Sequence, residues 1–198
     1  GAARAALADP AVYELEKLKK PERAALVRFW EAWQDELERI RLLDPACGSG
    51  AFLIEAFDQM HAAYQASNDR LEELRGHRTL FDLDKRILEN NLYGVDINEE
   101  AIEICRLSLW IKTAERGKVL TSLDHTIRVG NSVVADPAVH PKAFDWQAAF
   151  PEVFSLPSRA RGRGAGKDSP RPGYPGTLVV AVGGRGADQD SPRPQSGR

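Results

Sequence analysis

Apolar residues at spacings of three and four predict a long amphipathic helix in the first part of the chain. Within residues 21–40 the apolar stripe consists of Leu26, Trp30, Trp33, Leu37 and Ile40. Such a stripe marks the face of a helix that packs on the core, and a proline at the start, here Pro21, suits the first turn. We expect both tryptophans, and Trp110 further along, to be core residues.

Three short apolar runs then alternate with helical patterns. The predicted strands are residues 41–44, 91–97 and 126–130. The predicted helices are residues 50–65, continued by a polar helical stretch to a stop at Gly76, a helix capped by Thr79 that runs to about Asn90, and residues 98–117. Strands alternating with helices are typical of parallel sheets with right-handed crossovers, so the predicted class is α/β.

The last 44 residues differ in composition from the rest of the chain. Of the net charge of −2, residues 155–198 contribute +5 and residues 1–154 contribute −7, and the segment repeats DSPRP at 168–172 and 190–194. A sequence so poor in apolar residues cannot offset its ordering entropy, which predicts a disordered tail. Residues 177–182, TLVVAV, have the β-branched content of a strand, which we expect to be isolated.

The polar and glycine residues that could bind a ligand follow the predicted strands. DPACGSG, residues 44–50, comes after the first strand, Asp96 ends the second, and Gly130–Ser132 follows the third. Ligands of open parallel sheets bind at the carboxyl ends of the strands. Glycines at 48 and 50 permit a tight turn and let a ligand approach the main chain, so the sequence predicts a binding site at this edge.

The spacing of these residues favours S-adenosylmethionine over a dinucleotide. A dinucleotide fingerprint has a third glycine and an acid about 20 residues on, whereas Asp96 lies 48 residues after Gly48 and no third glycine follows. Asp44 would also bring negative charge beside a pyrophosphate. A carboxylate such as Asp96 can accept both hydroxyl hydrogens of a ribose, and acidic neighbours suit a sulfonium and an ammonium group. A dehydrogenase is therefore disfavoured.

Four segments together resemble a known family. They are DPACGSGAF at 44–52, NLYGVDINEEAIEICRLSLWIKT at 91–113, IRVGNSV at 127–133 and FDWQAAFPEVF at 144–154. In this order they resemble the amino-methyltransferases that modify adenine N6 in DNA, in particular the large enzymes of restriction-modification and phage defence. The resemblance covers roughly residues 40–154.

The resemblance implies a partial Rossmann-like, S-adenosylmethionine-dependent methyltransferase fold and a role for each matching residue. Residues 44–50 would hold the methionine part of S-adenosylmethionine, Asp96 the ribose, Ile97 one face of the adenine, and Asn131 the adenine edge. The cofactor-binding residues predicted in this way are Asp44, Pro45, Ala46, Gly48, Ser49, Gly50, Asp96, Ile97 and Asn131. The domain boundaries that follow are a helical segment over 1–40, a partial methyltransferase domain over 41–154 and a tail over 155–198.

The chain departs from the family in one essential element. FPEVF is usually followed by a strand that ends in Asn-Pro-Pro-Tyr, whose polar groups accept hydrogen bonds from the target amine and whose aromatic ring stacks on the flipped base. No such tetrapeptide occurs in this sequence, so no catalytic residue is assigned. We expect a chain truncated before that motif and inactive alone, with DNA bound through regions that it mostly lacks. The change at Ser155 is interpreted as a reading-frame shift or assembly error.

Two alternatives to a DNA adenine methyltransferase stay open at this point. One is a non-catalytic fragment that binds S-adenosylmethionine without turnover, and the other is an amino-methyltransferase that acts on RNA or on a protein glutamine. Three strands alone would also leave an unpaired sheet edge, which predicts marginal stability.

The remaining composition excludes several classes of protein. Cys47 and Cys105 show no metal-binding spacing, so we expect reduced thiols and no metal site. Apolar runs are far shorter than the ~20 residues of a membrane helix, and no signal peptide pattern opens the sequence, which predicts a cytoplasmic protein. Nothing in the pattern specifies an oligomeric state.

Overall fold

The computed structural model describes residues 15–77, 82–114 and 121–154, together with the backbone of residues 178–180. A single 3₁₀ turn at Leu15–Lys17 precedes the first helix. The helices are α1 (Lys20–Arg39), α2 (Ala51–Arg75), α3 (Leu83–Asn90), α4 (Glu99–Thr113), α5 (Trp146–Ala149) and α6 (Pro151–Phe154). The strands are β1 (Arg41–Asp44), β2 (Leu92–Asp96), β3 (Ile127–Val129) and β4 (Leu178–Val180).

The sheet is parallel, with the strand order β3-β2-β1-β4. Leu42 is paired with Leu92 on one side and with Val179 on the other, and Gly94 is paired with Ile127. The sheet and its flanking helices confirm the predicted α/β class and partial Rossmann-like fold. All strands point the same way, so Asp44, Asp96 and Val129 end at the same edge.

The fourth strand corrects one prediction. The segment 177–182 was expected to be isolated, but residues 178–180 pair with β1 in parallel. Such pairing satisfies backbone groups that an edge strand would leave open, and β-branched valines suit a pleated strand. The unpaired edge that three strands would leave at β1 is therefore covered. Residues 155–177 and 181–198, the rest of the predicted disordered tail, lie outside the described residues.

The two faces of the sheet bury different layers of side chains. On one face α1, α2, α3 and α4 surround a large aliphatic cluster that includes Leu53, Ile87 and Leu109. On the other face Phe144 and Phe150, from the segment around α5 and α6, pack on strand residues such as Tyr93. Successive strand residues point to opposite faces, so helices and aromatic rings cover both sides of β2.

Most predicted helices form, with changes at their ends. Residues 51–75 form one continuous helix that stops at Gly76, whose φ of 76° confirms the predicted stop. Helix α3 begins after Asp82, whose carboxylate accepts the Lys85 N–H at 3.2 Å. The predicted cap, Thr79, is thus wrong for this helix and lies outside the described residues. Helix α4 ends at Thr113, before the predicted 117, and residues 115–120 are likewise outside the described part.

The amphipathic helix α1 packs as predicted through part of its stripe only. Leu26 and Leu37 are buried, but Trp33 is 45% exposed, so its assignment to the core was wrong. The buried stripe of α1 faces α2. Gln34 of α1 donates hydrogen bonds to Ser67 and Asn68 of α2. A partner that covers only part of a helix leaves the rim of its apolar stripe in solvent.

Candidate cofactor site

A glycine turn joins β1 to α2 at the carboxyl edge of the sheet. Gly48 and Gly50 have φ angles of 51° and 88°, a left-handed region that favours glycine. The Gly50 N–H donates to the Cys47 carbonyl at 2.8 Å, which closes the turn, and Gly50 is the N-cap of α2. DPACGSG therefore forms the predicted tight strand-to-helix turn.

Asp44 supports the turn from beneath. Its side chain is only 1% exposed, and its Oδ1 accepts the Ala46 N–H at 3.1 Å. Pro45 is half-buried, whereas Ala46 and Ser49 lie on the exposed surface of the turn. The acid thus places a negative charge below the main chain, and the exposed residues of the turn form the surface that a ligand could contact.

Asp96 joins the end of β2 to the glycine turn. Its Oδ2 accepts the Gly48 N–H at 2.9 Å, across 48 residues of sequence, and its Oδ1 accepts the Asn98 N–H at 2.9 Å. Asn98 in turn caps α4 by accepting the Ala101 N–H at 3.1 Å. Each carboxylate oxygen retains a second lone pair, so a half-buried Asp96 can still accept ribose hydroxyls.

The turn after β3 completes this edge of the site. The Gly130 N–H donates to the Asp96 carbonyl at 2.8 Å, which ties β3 to β2 beside the acid. Asn131 uses its side-chain oxygen to accept the Val133 N–H at 3.2 Å, as a turn residue does. Ile97 is 47% exposed at the same edge. The structure therefore gathers the predicted residues at one strand-end cluster.

Two cysteines lie directly under the glycine turn. Cys47 and Cys105 are both buried free thiols, and a Cβ added to Gly50 would lie 2.5 Å from the Cys105 sulfur. The hydrogen bond with Cys105, together with burial, raises the pKa of the Cys47 thiol far above its usual range. Cys47 therefore stays protonated and packs as a small apolar residue.

Two features of the glycine turn bear on the kind of ligand that it could bind. A Cβ at Gly48 would meet no atom within 4 Å, so the main chain is open to a ligand at that point. The acids nearest the turn, Asp44 and Asp96, carry charge of the sign that stabilises a sulfonium and an ammonium group. The same charges would repel a pyrophosphate, which argues against a dinucleotide.

Other classes of site are not apparent in the part of the chain that the structure describes. No group of three or more His, Cys, Asp or Glu residues there could hold a metal ion. None of the helices in those ranges has both the length and the apolar content needed to cross a membrane.

Lys142 lies at this edge but was not predicted from the sequence. Lys142, in the segment between β3 and α5, donates from Nζ to the Ile97 carbonyl at 3.1 Å and pairs with Glu99 at 2.8 Å. The hydrogen bond and charge of Lys142 lower the pKa of the Glu99 carboxyl. A single lysine in a loop has no periodic pattern that could mark it as a site residue. The one available signal in the sequence is its position two residues before FDWQ.

Several known proteins with similar sequences are named as methyltransferases, some of them combined with a restriction enzyme. A putative type II restriction enzyme and methyltransferase of Methanocaldococcus jannaschii is 40% identical over 112 residues, which is 52% of this chain and 9% of that protein. The adenine-specific methyltransferase BrxX of Escherichia coli is 45% identical over 69 residues, 35% of this chain and 5% of its own length. A type II restriction enzyme and methyltransferase of Escherichia coli is 32% identical over 129 residues, 57% of this chain and 13% of that protein.

The family match covers the fold and the site together. The chain spans only 5% to 13% of the length of these curated relatives. The model of the MmeI DNA-methyltransferase domain matches residues 16–150, which include β1, β2, β3 and the turns that follow them. More than half of the chain is matched, and the chain belongs to the MmeI DNA-methyltransferase domain family.

Proposed function

We propose that this chain binds S-adenosylmethionine at the carboxyl edge of its sheet, as the cofactor half of a DNA adenine-N6 methyltransferase. The observation that carries the proposal is the Asp96 carboxylate, which binds the Gly48 N–H of the glycine turn and keeps acceptor capacity for a ribose. The bound cofactor would supply an activated methyl group. The family match and relatives named adenine-specific methyltransferases support the reaction class.

Each predicted residue has a part in the proposed pocket. The main chain of residues 45–50 would contact the methionine part, with Asp44 contributing charge from below the turn. Asp96 would accept the ribose hydroxyls, Ile97 would cover one face of the adenine with its exposed side chain, and Asn131 would contact the adenine edge. Since the Asn131 side-chain oxygen already accepts the Val133 N–H, its amide nitrogen is the group we expect to face the base.

The proposal separates cofactor binding from methyl transfer. Strand β4 lies beside β1, and no Asn-Pro-Pro-Tyr tetrapeptide occurs in this sequence. No residue of this chain is therefore proposed to accept hydrogen bonds from a target amine or to stack on a flipped base. We propose DNA as the partner of the complete methyltransferase, in the cytoplasm, and no transfer by this chain alone.

Calorimetry with S-adenosylmethionine tests the cofactor assignment. The parent chain should bind it, and Asp96→Ala should weaken binding at least tenfold, because the ribose acceptor and the link to Gly48 are both lost. Asp69→Ala, an exposed acid on α2, is the matched control and should bind like the parent. Absence of binding by the parent, or equal binding of NAD, would remove the assignment.

A second assay distinguishes the alternatives that share the cofactor. Labelled S-adenosylmethionine is incubated with the chain and with duplex DNA, RNA or a glutamine peptide. We expect label in none of them, which is the behaviour of a binding fragment without the catalytic element. Label in DNA adenine would show that transfer needs no Asn-Pro-Pro-Tyr motif here, and label in RNA or peptide would favour a different substrate class.

A further inference from the structure

Lys142 connects the elements that would surround the adenosine end of the cofactor. Its Nζ donates a hydrogen bond to the Ile97 carbonyl at 3.1 Å and lies 2.8 Å from Glu99 Oε1. Ile97 follows β2 directly, and Glu99 is the first residue of α4. A single ammonium group thus fixes the strand end and the helix start, across more than 40 residues of sequence.

The main chain of the same residue reaches the third strand. The Lys142 carbonyl accepts the Asn131 N–H at 2.6 Å, and Ala143 forms a parallel bridge with Asn131. Lys142 therefore links Ile97 to Asn131, because its side chain binds the Ile97 carbonyl and its backbone carbonyl binds the Asn131 N–H. These are the two residues expected to contact the adenine.

The charge of Lys142 is suited to this task. An ammonium has several donors and can satisfy a carbonyl and a carboxylate together. Ile97 and Glu99 are exposed residues just after the end of β2, and Lys142 contacts both of them. A hydrogen bond from a charged donor is stronger than a neutral one, so its loss should loosen the Ile97 backbone more than an average substitution.

We propose that Lys142 is a positioning residue that preorganises the adenosine side of the pocket by holding Ile97 against the Asn131 turn. The inference rests on the proposed S-adenosylmethionine site and adds to it a residue that need not touch the ligand. A loop that is already ordered loses less conformational entropy when a ligand binds. Lys142 would reduce this entropy loss at Ile97.

The test compares Lys142→Met with Lys142→Arg in the full chain. Met keeps the length of the side chain but donates nothing, whereas Arg can donate to both Ile97 and Glu99. Calorimetry with S-adenosylmethionine should show binding about tenfold weaker for Lys142→Met, the factor expected for one lost charge-assisted hydrogen bond. Lys142→Arg should bind within about threefold of the parent. Lys85→Met, which removes an exposed pair with Glu89 on α3, is the control and should bind normally.

A ligand that lacks the methionine amino and carboxyl groups tests whether Lys142→Met weakens binding of the adenosine end. 5′-Methylthioadenosine carries only the adenosine end, and Lys142→Met should weaken its binding by the same factor as that of S-adenosylmethionine. Melting temperatures of Lys142→Met and the Lys85→Met control should agree within a few degrees. Unchanged binding of both ligands by Lys142→Met, or equal losses in the Met and Arg variants, would overturn the proposal.

A readout without cofactor keeps the two proposals distinguishable. NMR titration should show the Glu99 carboxyl moving back toward its ordinary pKa in Lys142→Met, because the hydrogen bond and charge that lower it are gone. If the parent chain fails to bind S-adenosylmethionine while Glu99 shifts as expected, the cofactor site is wrong and the Lys142 link is real. If Glu99 does not shift, the link itself is refuted.

Discussion

Gly48 and Gly50 are required in the turn for different physical reasons. Both have positive φ, but a Cβ at Gly48 would meet nothing within 4 Å, while a Cβ at Gly50 would meet the Cys105 sulfur at 2.5 Å. Gly50 is therefore required by packing against α4 as well as by its backbone. Gly48 is required by its backbone only, and its open side is where a ligand can approach.

We expect Gly50→Ala to destabilise the protein more than Gly48→Ala. The left-handed backbone alone costs an alanine about 1–2 kcal/mol, and at Gly50 the clash should add about 1–3 kcal/mol. Urea unfolding followed by circular dichroism measures both losses. Cys105→Ala in the Gly50→Ala background should recover part of the difference, and equal losses at the two glycines would contradict the packing argument.

The buried side chain of Asn91 binds the end of helix α1 next to the start of β2. Asn91 is fully buried, and its Nδ2 donates to the Leu37 and Ile40 carbonyls at 2.8 Å each. Leu37 lies in the last turn of α1 and Ile40 is its C-cap, the part of a helix whose carbonyls lack the regular partner four residues on. The Asn91 carbonyl also accepts the Leu42 N–H at 2.7 Å, so the same residue aligns β1.

Asn91→Ala should therefore cost far more stability than substitution of its neighbour. Removing two hydrogen bonds and the amide volume at a fully buried position predicts a loss of about 1–3 kcal/mol in the free energy of unfolding. Asn90→Ala, in the last turn of α3, is the matched control and should change stability by about 0.5 kcal/mol or less. Similar values for the two variants in urea unfolding would show that Asn91 does not hold α1.

At the scale of the whole molecule, β4 turns β1 from an edge strand into an interior one. The chain leaves α6 at Phe154 and returns at Leu178 to lie parallel to β1. The sequence predicted marginal stability because three strands would leave an unpaired sheet edge. Strand β4 pairs with that edge of β1, so this reason no longer applies there. The site edge is affected too, because the carboxyl ends of β1 and β4 lie together.

Val179→Pro tests this pairing. Proline cannot donate to a neighbouring strand, so the variant should open the ladder between β4 and β1. The Leu42 N–H points to Asn91 on the β2 side, which directs the Leu43 N–H toward β4. Hydrogen exchange at Leu43 should therefore speed up by about tenfold or more, as expected for loss of a hydrogen bond worth about 1.5 kcal/mol. The amides of β3, at the opposite edge, serve as the internal control and should keep their rates.

Much of the element plan was predictable because it depends on local properties. The order of strands and helices, the glycine turn at 48 and 50 and the stop at Gly76 follow from periodicity and from the backbone preferences of single residues. The α/β class and the placement of candidate residues at strand ends follow from that order. Prediction failed where the local signal was ambiguous, as at Thr79, or where burial depended on a partner, as at Trp33.

By itself, the sequence determined which residues end the strands and form the glycine turn, since periodicity and turn preferences belong to the residues in place. Only the tertiary structure decided that Asp96 holds Gly48, that Cys105 packs under Gly50, that Lys142 joins Ile97 to Asn131, and that β4 pairs with β1. Those contacts join residues far apart along the chain. Their energies depend on how strands and helices pack in three dimensions, which no local pattern encodes.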